Sequence, residues 1–212
     1  RRKIPESRNE LVARIRELEE KLANLQKKYG PVPGAPNPDP VNYQGIKFGA
    51  YHALVIGNNN YRHLPKLKTA EHDAKTVGGV LEQDYGFKVK YLLNASRIDI
   101  FNALSDYRQT LTKNDNLLIF YAGHGYEDKK ISKGYWQPVD AQSTSKGTWI
   151  ATSDITDEMR GIDAKHIMVV ADSCYSGTIF RSTDNVVTQK KGGIEWIKRL
   201  SKTRTRVALT SG

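Results

Sequence analysis

The chain has 212 residues, 38% of them hydrophobic, and a formal net charge of +10 at pH 7. No apolar run reaches the length of about 18 residues that a transmembrane helix needs, and no signal-peptide pattern opens the chain. The excess positive charge lies in residues 1–30 and 188–206 rather than on a folded body, which argues against nucleic-acid binding. The single cysteine rules out an internal disulfide, so we expect a cytoplasmic protein unless a targeting segment precedes Arg1.

Residues 1–29 predict an amphipathic helix with coiled-coil character. Its apolar residues alternate at spacings of four and three, namely Leu11, Ile15, Leu18, Leu22, Leu25 and Tyr29. This spacing forms a heptad seam of about two and a half repeats, which either binds a protein partner or a second copy, or packs on the chain's own domain. Residues 30–48 follow as a linker, because the prolines between Gly30 and Pro40 cannot continue a helix.

Residues 49–212 predict a single α/β domain in which strands alternate with helices. Apolar runs predict strands over residues 51–57, 87–93, 115–122, 166–171 and 204–210. Helical periodicity predicts helices over 69–83 and 98–111, and a short one that Ser153 caps and that ends at Arg160. The inward face of the second helix is predicted as Ile98, Phe101, Leu104 and Leu111. The alternation indicates a mostly parallel sheet with helices on both faces.

Two of the predicted strands end in turns of small residues, and these turns carry an imidazole and a thiol. His124 lies between two glycines after the third strand, and Cys174 follows the fourth strand. Because the carboxyl ends of parallel strands line one crevice, the two side chains would meet there. An imidazole beside a thiol raises its thiolate fraction and makes a nucleophile with its base. The backbone N–H groups of Gly125 and Cys174 are the candidates for an oxyanion hole.

These segments resemble the motifs of a known family. Phe120–Gly125 (FYAGHG) and Asp172–Gly177 (DSCYSG) are similar to the His and Cys motifs of caspase-like cysteine peptidases, and above all of the metacaspase and bacterial caspase-homologue branch. Ala53–Tyr61, followed by Leu67 and Asp73, resembles the first strand and loop of that fold. The resemblance covers residues 49–212. It implies a caspase-like endopeptidase with a His–Cys dyad that acts on protein or peptide substrates.

The resemblance also implies a substrate preference and an incomplete domain. Asp172 and Asp73 match the acids that line the pocket for a basic side chain in metacaspases, which implies cleavage after Arg or Lys. The alternative for Asp73 is an ordinary residue near a helix N-terminus. Related metacaspases often have Ser where this chain has Ala122, which weakens the expected recognition. In the family a further strand and helices follow, so the C-terminal part is expected to be missing after Gly212.

The basic segment 182–203 corresponds to the linker between the two parts of the family's catalytic domain. An enzyme that cuts after basic residues could process itself there, with Lys190, Lys191 and Arg199 as candidate cleavage sites. The alternative is a solvated loop with a short helix over 194–200.

No cofactor is predicted. The histidines show no metal-ligand spacing and there is one cysteine, so we expect no zinc site. The acids of segment 126–163 are scattered rather than closely spaced as in a calcium loop, although calcium activation stays an alternative. Two other functions also stay open. One is a catalytically silent scaffold that recruits partners through its N-terminal helix, and the other is amidase or transpeptidase chemistry by the same thiol.

Overall fold

The computed structural model describes residue 20 and residues 48–173 and 202–210. The chain divides into two units, Arg1–Gln44 and Gly45–Gly212, and both sheets lie in the second. The predicted N-terminal helix, apart from Glu20, lies outside the described residues, as do most of the linker, Cys174 and the basic segment up to Ser201. None of the helices in the described part is long and apolar enough to cross a membrane.

A five-stranded parallel sheet forms the centre of the domain. Its strands are β1 (Ala50–Gly57), β2 (Lys88–Leu93), β3 (Asp115–Ala122), β7 (His166–Asp172) and β8 (Thr205–Thr210), in the order β2-β1-β3-β7-β8. Every neighbouring pair in this sheet is parallel. The helices are α1 (Ala70–Gln83), α2 (Arg97–Thr110) and α3 (Thr152–Gly161). The predicted α/β class is confirmed, with each strand boundary within one residue of its predicted position.

The two faces of the sheet are covered by different helices. Successive side chains of a strand point to opposite faces, so Leu54 and Ile56 of β1 face one core while Ala53 and Val55 face the other. The first core contains residues of α2 and α3, including Ile100, Leu104, Ile155 and Met159. The second core contains Ala70 and Ala74 of α1. Helices therefore lie on both faces, as the alternating pattern predicts.

The predicted inward face of α2 is partly wrong. Ile98 is 66% exposed, whereas the buried residues of this helix are Ile100, Ala103, Leu104 and Tyr107. Ser96 caps the helix through a reciprocal capping box with Asp99, which makes Arg97 the first helical residue. Ile98 then falls in the first turn on the solvent side.

The predicted cap of α3 is also wrong. The helix begins at Thr152, and its N-cap is Ala151, whose side chain makes no capping hydrogen bond. Ser153 therefore lies within the first turn, where it is exposed. The reason is that the short strand Ile150–Ala151 leads directly into the helix. The end of this strand, and not a capping side chain, therefore sets the first residue of the helix.

A second, smaller sheet follows the His-bearing strand and was not predicted. It is antiparallel, with the order β4 (Gly125–Asp128), β5 (Lys133–Trp136) and β6 (Ile150–Ala151). Trp136 of β5 stacks on Tyr121 of β3, with ring centroids 4.4 Å apart. Because both side chains are buried, this contact fixes the small sheet beside the turn that carries His124.

Two partly buried histidines predict a pH-dependent stability. Burial lowers the pKa of His52, although Asp115 at 3.7 Å acts in the opposite direction. Burial also lowers the pKa of His166, and the charges of Lys165 and Arg206 add to this effect. Below about pH 6.5 the unfolded chain takes up protons that the folded chain resists, so the free energy of unfolding falls as the pH is lowered.

We therefore expect the urea midpoint of the protein to fall between about pH 7.5 and about pH 5.5. Urea unfolding at both pH values, for the wild type and for His52→Gln with His166→Gln, checks this. The double variant should show a smaller difference between the two midpoints. An equal difference in both proteins would show that other groups cause the pH dependence.

Candidate active site

The turns that the sequence singles out lie side by side at the carboxyl ends of β3 and β7. Ala122 is the register partner of Asp172, and the Gly123 N–H donates to the Asp172 carbonyl at 3.5 Å. The described part of the second turn ends at Ser173, and Cys174 is the next residue in the sequence. The structure thus brings together the two strand ends that precede His124 and Cys174. The contact between imidazole and thiol stays a prediction.

The imidazole of His124 is held by a backbone carbonyl. Its Nε2 lies 2.8 Å from the Pro65 carbonyl oxygen. A carbonyl oxygen only accepts hydrogen bonds, so Nε2 carries the proton and, in the neutral ring, Nδ1 is the unprotonated nitrogen. The ring is thereby oriented and its basic nitrogen defined. Pro65 is not indicated by the sequence, because a backbone carbonyl has no side-chain signature.

A cluster of asparagines fixes the loop that carries Pro65. The Asn94 side-chain oxygen accepts hydrogen bonds from the N–H groups of Asn59 and Asn60 at 2.9 and 2.8 Å. The Asn94 amide nitrogen donates to Glu71 at 2.7 Å. Asn94 has a φ of 54°, a conformation that asparagine tolerates better than most residues. The Leu67 N–H donates to the Asn59 carbonyl at 3.0 Å, and this hydrogen bond closes the loop.

Two buried tyrosines hold the backbone of His124. The His124 N–H donates to the Tyr61 hydroxyl at 2.7 Å, and the single proton of the Tyr121 hydroxyl is shared between the carbonyls of His124 and Gln137, at 2.8 and 2.9 Å. The Tyr61 ring also lies against the imidazole, with centroids 4.6 Å apart. Burial raises the pKa of both tyrosines, so both stay neutral near pH 7. This arrangement fixes both the backbone and the ring of His124.

The N–H group of Gly125 points away from the small sheet. Gln137 N–H donates to the His124 carbonyl at 2.9 Å, and Gly125 lies opposite Trp136. In an antiparallel ladder this bond makes Gly125 and Trp136 a non-hydrogen-bonded pair, so the Gly125 N–H faces the side opposite β5. That direction is compatible with the predicted role of Gly125 as an oxyanion donor.

Tyr61 is expected to position the base, and its loss should reduce catalysis. Tyr61→Phe keeps the packing but leaves the partly buried His124 N–H without its acceptor. This costs about 1–3 kcal/mol of stability and should lower kcat about tenfold or more by loosening the imidazole. Circular dichroism melting and peptide hydrolysis check the two effects. Tyr107→Phe is the matched control, because it removes a buried hydrogen bond to the Ala53 carbonyl and should leave kcat unchanged.

The structure places the two predicted pocket acids on different elements. Asp172 is the exposed last residue of β7, beside the turn of His124. Asp73 is half-buried in the first turn of α1, which follows the Pro65 loop. Their role in binding a basic side chain stays a prediction. Among the described residues no group of three or more His, Cys, Asp or Glu side chains could hold a metal ion.

Comparison with known proteins agrees with this fold. A sequence profile of the caspase domain matches residues 50–209, and the chain therefore belongs to the caspase-domain family of cysteine peptidases. The human mucosa-associated lymphoid tissue lymphoma translocation protein 1 is 40% identical over 89 residues, which cover 42% of this chain and 10% of that protein. Metacaspase-1 of Ajellomyces capsulatus is 25% identical over 182 residues, which cover 69% of this chain and 49% of that protein.

The chain thus spans a small part of the first relative and about half of the second. A crystal structure of a Geobacter sulfurreducens protein is similar in fold, with a TM-score of 0.50 and 22% sequence identity. It matches over 59% of this chain and 50% of that chain.

Proposed function

We propose that the chain is the catalytic domain of a cysteine endopeptidase, with Cys174 as nucleophile and His124 as its base and acid. The observation that carries the proposal is the hydrogen bond from His124 Nε2 to the Pro65 carbonyl, 2.8 Å long. It leaves Nδ1 as the proton acceptor of a residue whose strand end adjoins the strand end that leads to Cys174. A cysteine peptidase needs an imidazole oriented in this way.

In the proposed reaction Cys174 Sγ attacks the carbonyl carbon of the scissile bond, and His124 Nδ1 takes the thiol proton. The oxyanion is stabilised by the N–H groups of Gly125 and Cys174. His124 then gives the proton to the leaving amine, and the C–N bond breaks to leave a thioester on Cys174. Water, deprotonated by His124, attacks the thioester and releases the acid and the free thiol.

The proposed substrates are proteins and peptides cleaved after Arg or Lys. Support comes from Asp172, an exposed carboxylate beside the turn of His124, and from Asp73 in the first turn of α1. A carboxylate near the nucleophile attracts a cationic side chain and repels an acidic one. The absence of a hydroxyl at Ala122 leaves this recognition to the two acids.

The proposal is tested by hydrolysis of fluorogenic peptides that differ only in ending with Arg, Lys or Asp. We expect cleavage of the Arg and Lys peptides, its loss in Cys174→Ala, and at least about a tenfold lower kcat/KM in Asp172→Asn. Cleavage after Asp alone would support a cysteine peptidase but contradict the assignment of Asp172 and Asp73 to a pocket for basic side chains. No cleavage of any peptide would favour the scaffold alternative.

We also propose that the enzyme processes itself in the segment 182–203, at Lys190, Lys191 or Arg199. Peptidases require exposed segments that can adopt an extended conformation, and a polar segment of this composition is a suitable substrate. Mass spectrometry of the purified chain should find fragments that end at one of these residues. The same fragments in Cys174→Ala would mean that another protease produces them.

A further inference from the structure

A cavity of about 510 Å³ adjoins the hairpin that follows His124. It is lined by Tyr126, Glu127, Asp128, Lys129, Lys130 and Lys146. All but the last belong to β4 or to the turn after it, and β4 begins at Gly125, the residue after His124. The short strand β4 therefore connects the proposed active site to the cavity.

The strand β4 also has an open edge. In the described part of the chain it is the outer strand of the small sheet and pairs with β5 only. Since Gly125 belongs to a non-hydrogen-bonded pair, the alternation of the ladder turns the N–H groups of Gly125 and Glu127 away from β5. An extended peptide can add to such an edge through main-chain hydrogen bonds.

The charges along the cavity are not balanced. Asp128 is hydrogen-bonded to Lys146, so these two charges neutralise each other. The side-chain ammonium groups of Lys129 and Lys130 are exposed and form no ion pair among the described residues. Glu127 alone opposes them, which leaves the residues that line the cavity with an excess of one positive charge. The exposed ring of Tyr126 adds an apolar wall.

We propose that the edge of β4 and this cavity bind the leaving segment, meaning the substrate residues on the carboxyl side of the scissile bond, and favour an acidic residue there. The inference rests on the proposed function. His124 gives its proton to the leaving nitrogen, so the leaving segment starts beside His124 and can run along β4. At about 3.3 Å per residue, the third or fourth residue of that segment reaches Lys129 and Lys130.

The charge preference is tested with internally quenched peptides that share an Arg before the scissile bond. They carry Glu, Gln or Lys at the third and fourth positions of the leaving segment. We expect kcat/KM to be about threefold to fivefold higher for Glu than for Gln, and lowest for Lys, as for an exposed charge pair. In the full chain with Lys129→Gln and Lys130→Gln, the ratio between the Glu and Lys peptides should fall to one or below, because Glu127 is then unopposed.

The matched control is Lys88→Gln with Lys113→Gln, which removes the same charge at the opposite, amino end of the strands. It should keep the full preference for Glu. A preference that survives loss of Lys129 and Lys130, or that falls equally in the control, would overturn the inference. Cleavage with no preference overturns the inference alone, whereas no cleavage of any peptide overturns it together with the proposed function.

The strand addition has its own readout. Only every second amide of the leaving segment faces the edge of β4. N-methylation of that set of amides should lower kcat/KM about fivefold, and N-methylation of the alternate set should leave kcat/KM nearly unchanged. Equal effects in both registers would exclude pairing with this edge.

Discussion

His124→Ala is expected to lower kcat/KM for the Arg peptide by about three orders of magnitude, within the range that a general base contributes. The variant removes the Nδ1 acceptor while the Tyr61 and Tyr121 hydroxyls still hold the backbone at this position. The fold should therefore survive, and the loss should appear in kcat rather than in KM. Steady-state hydrolysis, with circular dichroism to confirm folding, measures both.

The matched control is His63→Ala. His63 is an exposed histidine of the same loop as Pro65, so it shares the local environment but has no predicted part in the reaction. We expect this variant to retain wild-type kcat/KM. Loss of activity in both variants would mean that disturbance of the loop, and not the missing base, reduces the rate.

Gly123→Ala is expected to damage both stability and catalysis. A Cβ at this position would lie 2.6 Å from the Tyr61 hydroxyl and 2.8 Å from the Tyr121 hydroxyl. Both tyrosines are buried and bound to His124, so neither can move without releasing the turn that carries His124. We expect a loss of about 1–3 kcal/mol of stability, as for overpacking, and a fall of about a hundredfold in kcat.

Gly79→Ala provides the contrast for this prediction. Gly79 lies in α1, and a Cβ there would meet no atom within 4 Å. Alanine favours a helix over glycine by about 0.5–1 kcal/mol, so this variant should be slightly more stable and fully active. Thermal unfolding and hydrolysis of the Arg peptide compare the two variants. If Gly123→Ala behaves like Gly79→Ala, the tyrosines do not hold the turn as tightly as their contacts indicate.

The sequence predicted the central sheet well because its signals are local. The strand that ends at Ala122 and the strand that starts at His166 are apolar runs bounded by polar or small residues, a pattern that needs no knowledge of the rest of the fold. The small sheet had no such signal. Its strands have two to four residues, too few for an alternation to stand out from chance.

The candidate site was predictable only in part for a similar reason. His124 and Cys174 are reactive side chains in recognisable turns, so the sequence alone indicates them. Pro65 acts through a carbonyl, and Tyr61 acts through a hydroxyl on a loop far from His124 in sequence. Contacts of this kind depend on how the loop between β1 and α1 packs against the end of β3. The error at Ile98 has a different origin, since the capping box of Ser96 and Asp99 is local and makes Arg97 the first helical residue.

The rate of thiol alkylation at neutral pH tests most directly whether His124 activates Cys174. Cys174 is the only cysteine of the chain, so uptake of iodoacetamide reports on this thiol alone. A free thiol has a pKa of about 8.5 and reacts slowly at neutral pH. We predict that at about pH 7 the folded wild type is alkylated at least about tenfold faster than folded His124→Ala. Equal rates in the two proteins would contradict the pairing of His124 with Cys174.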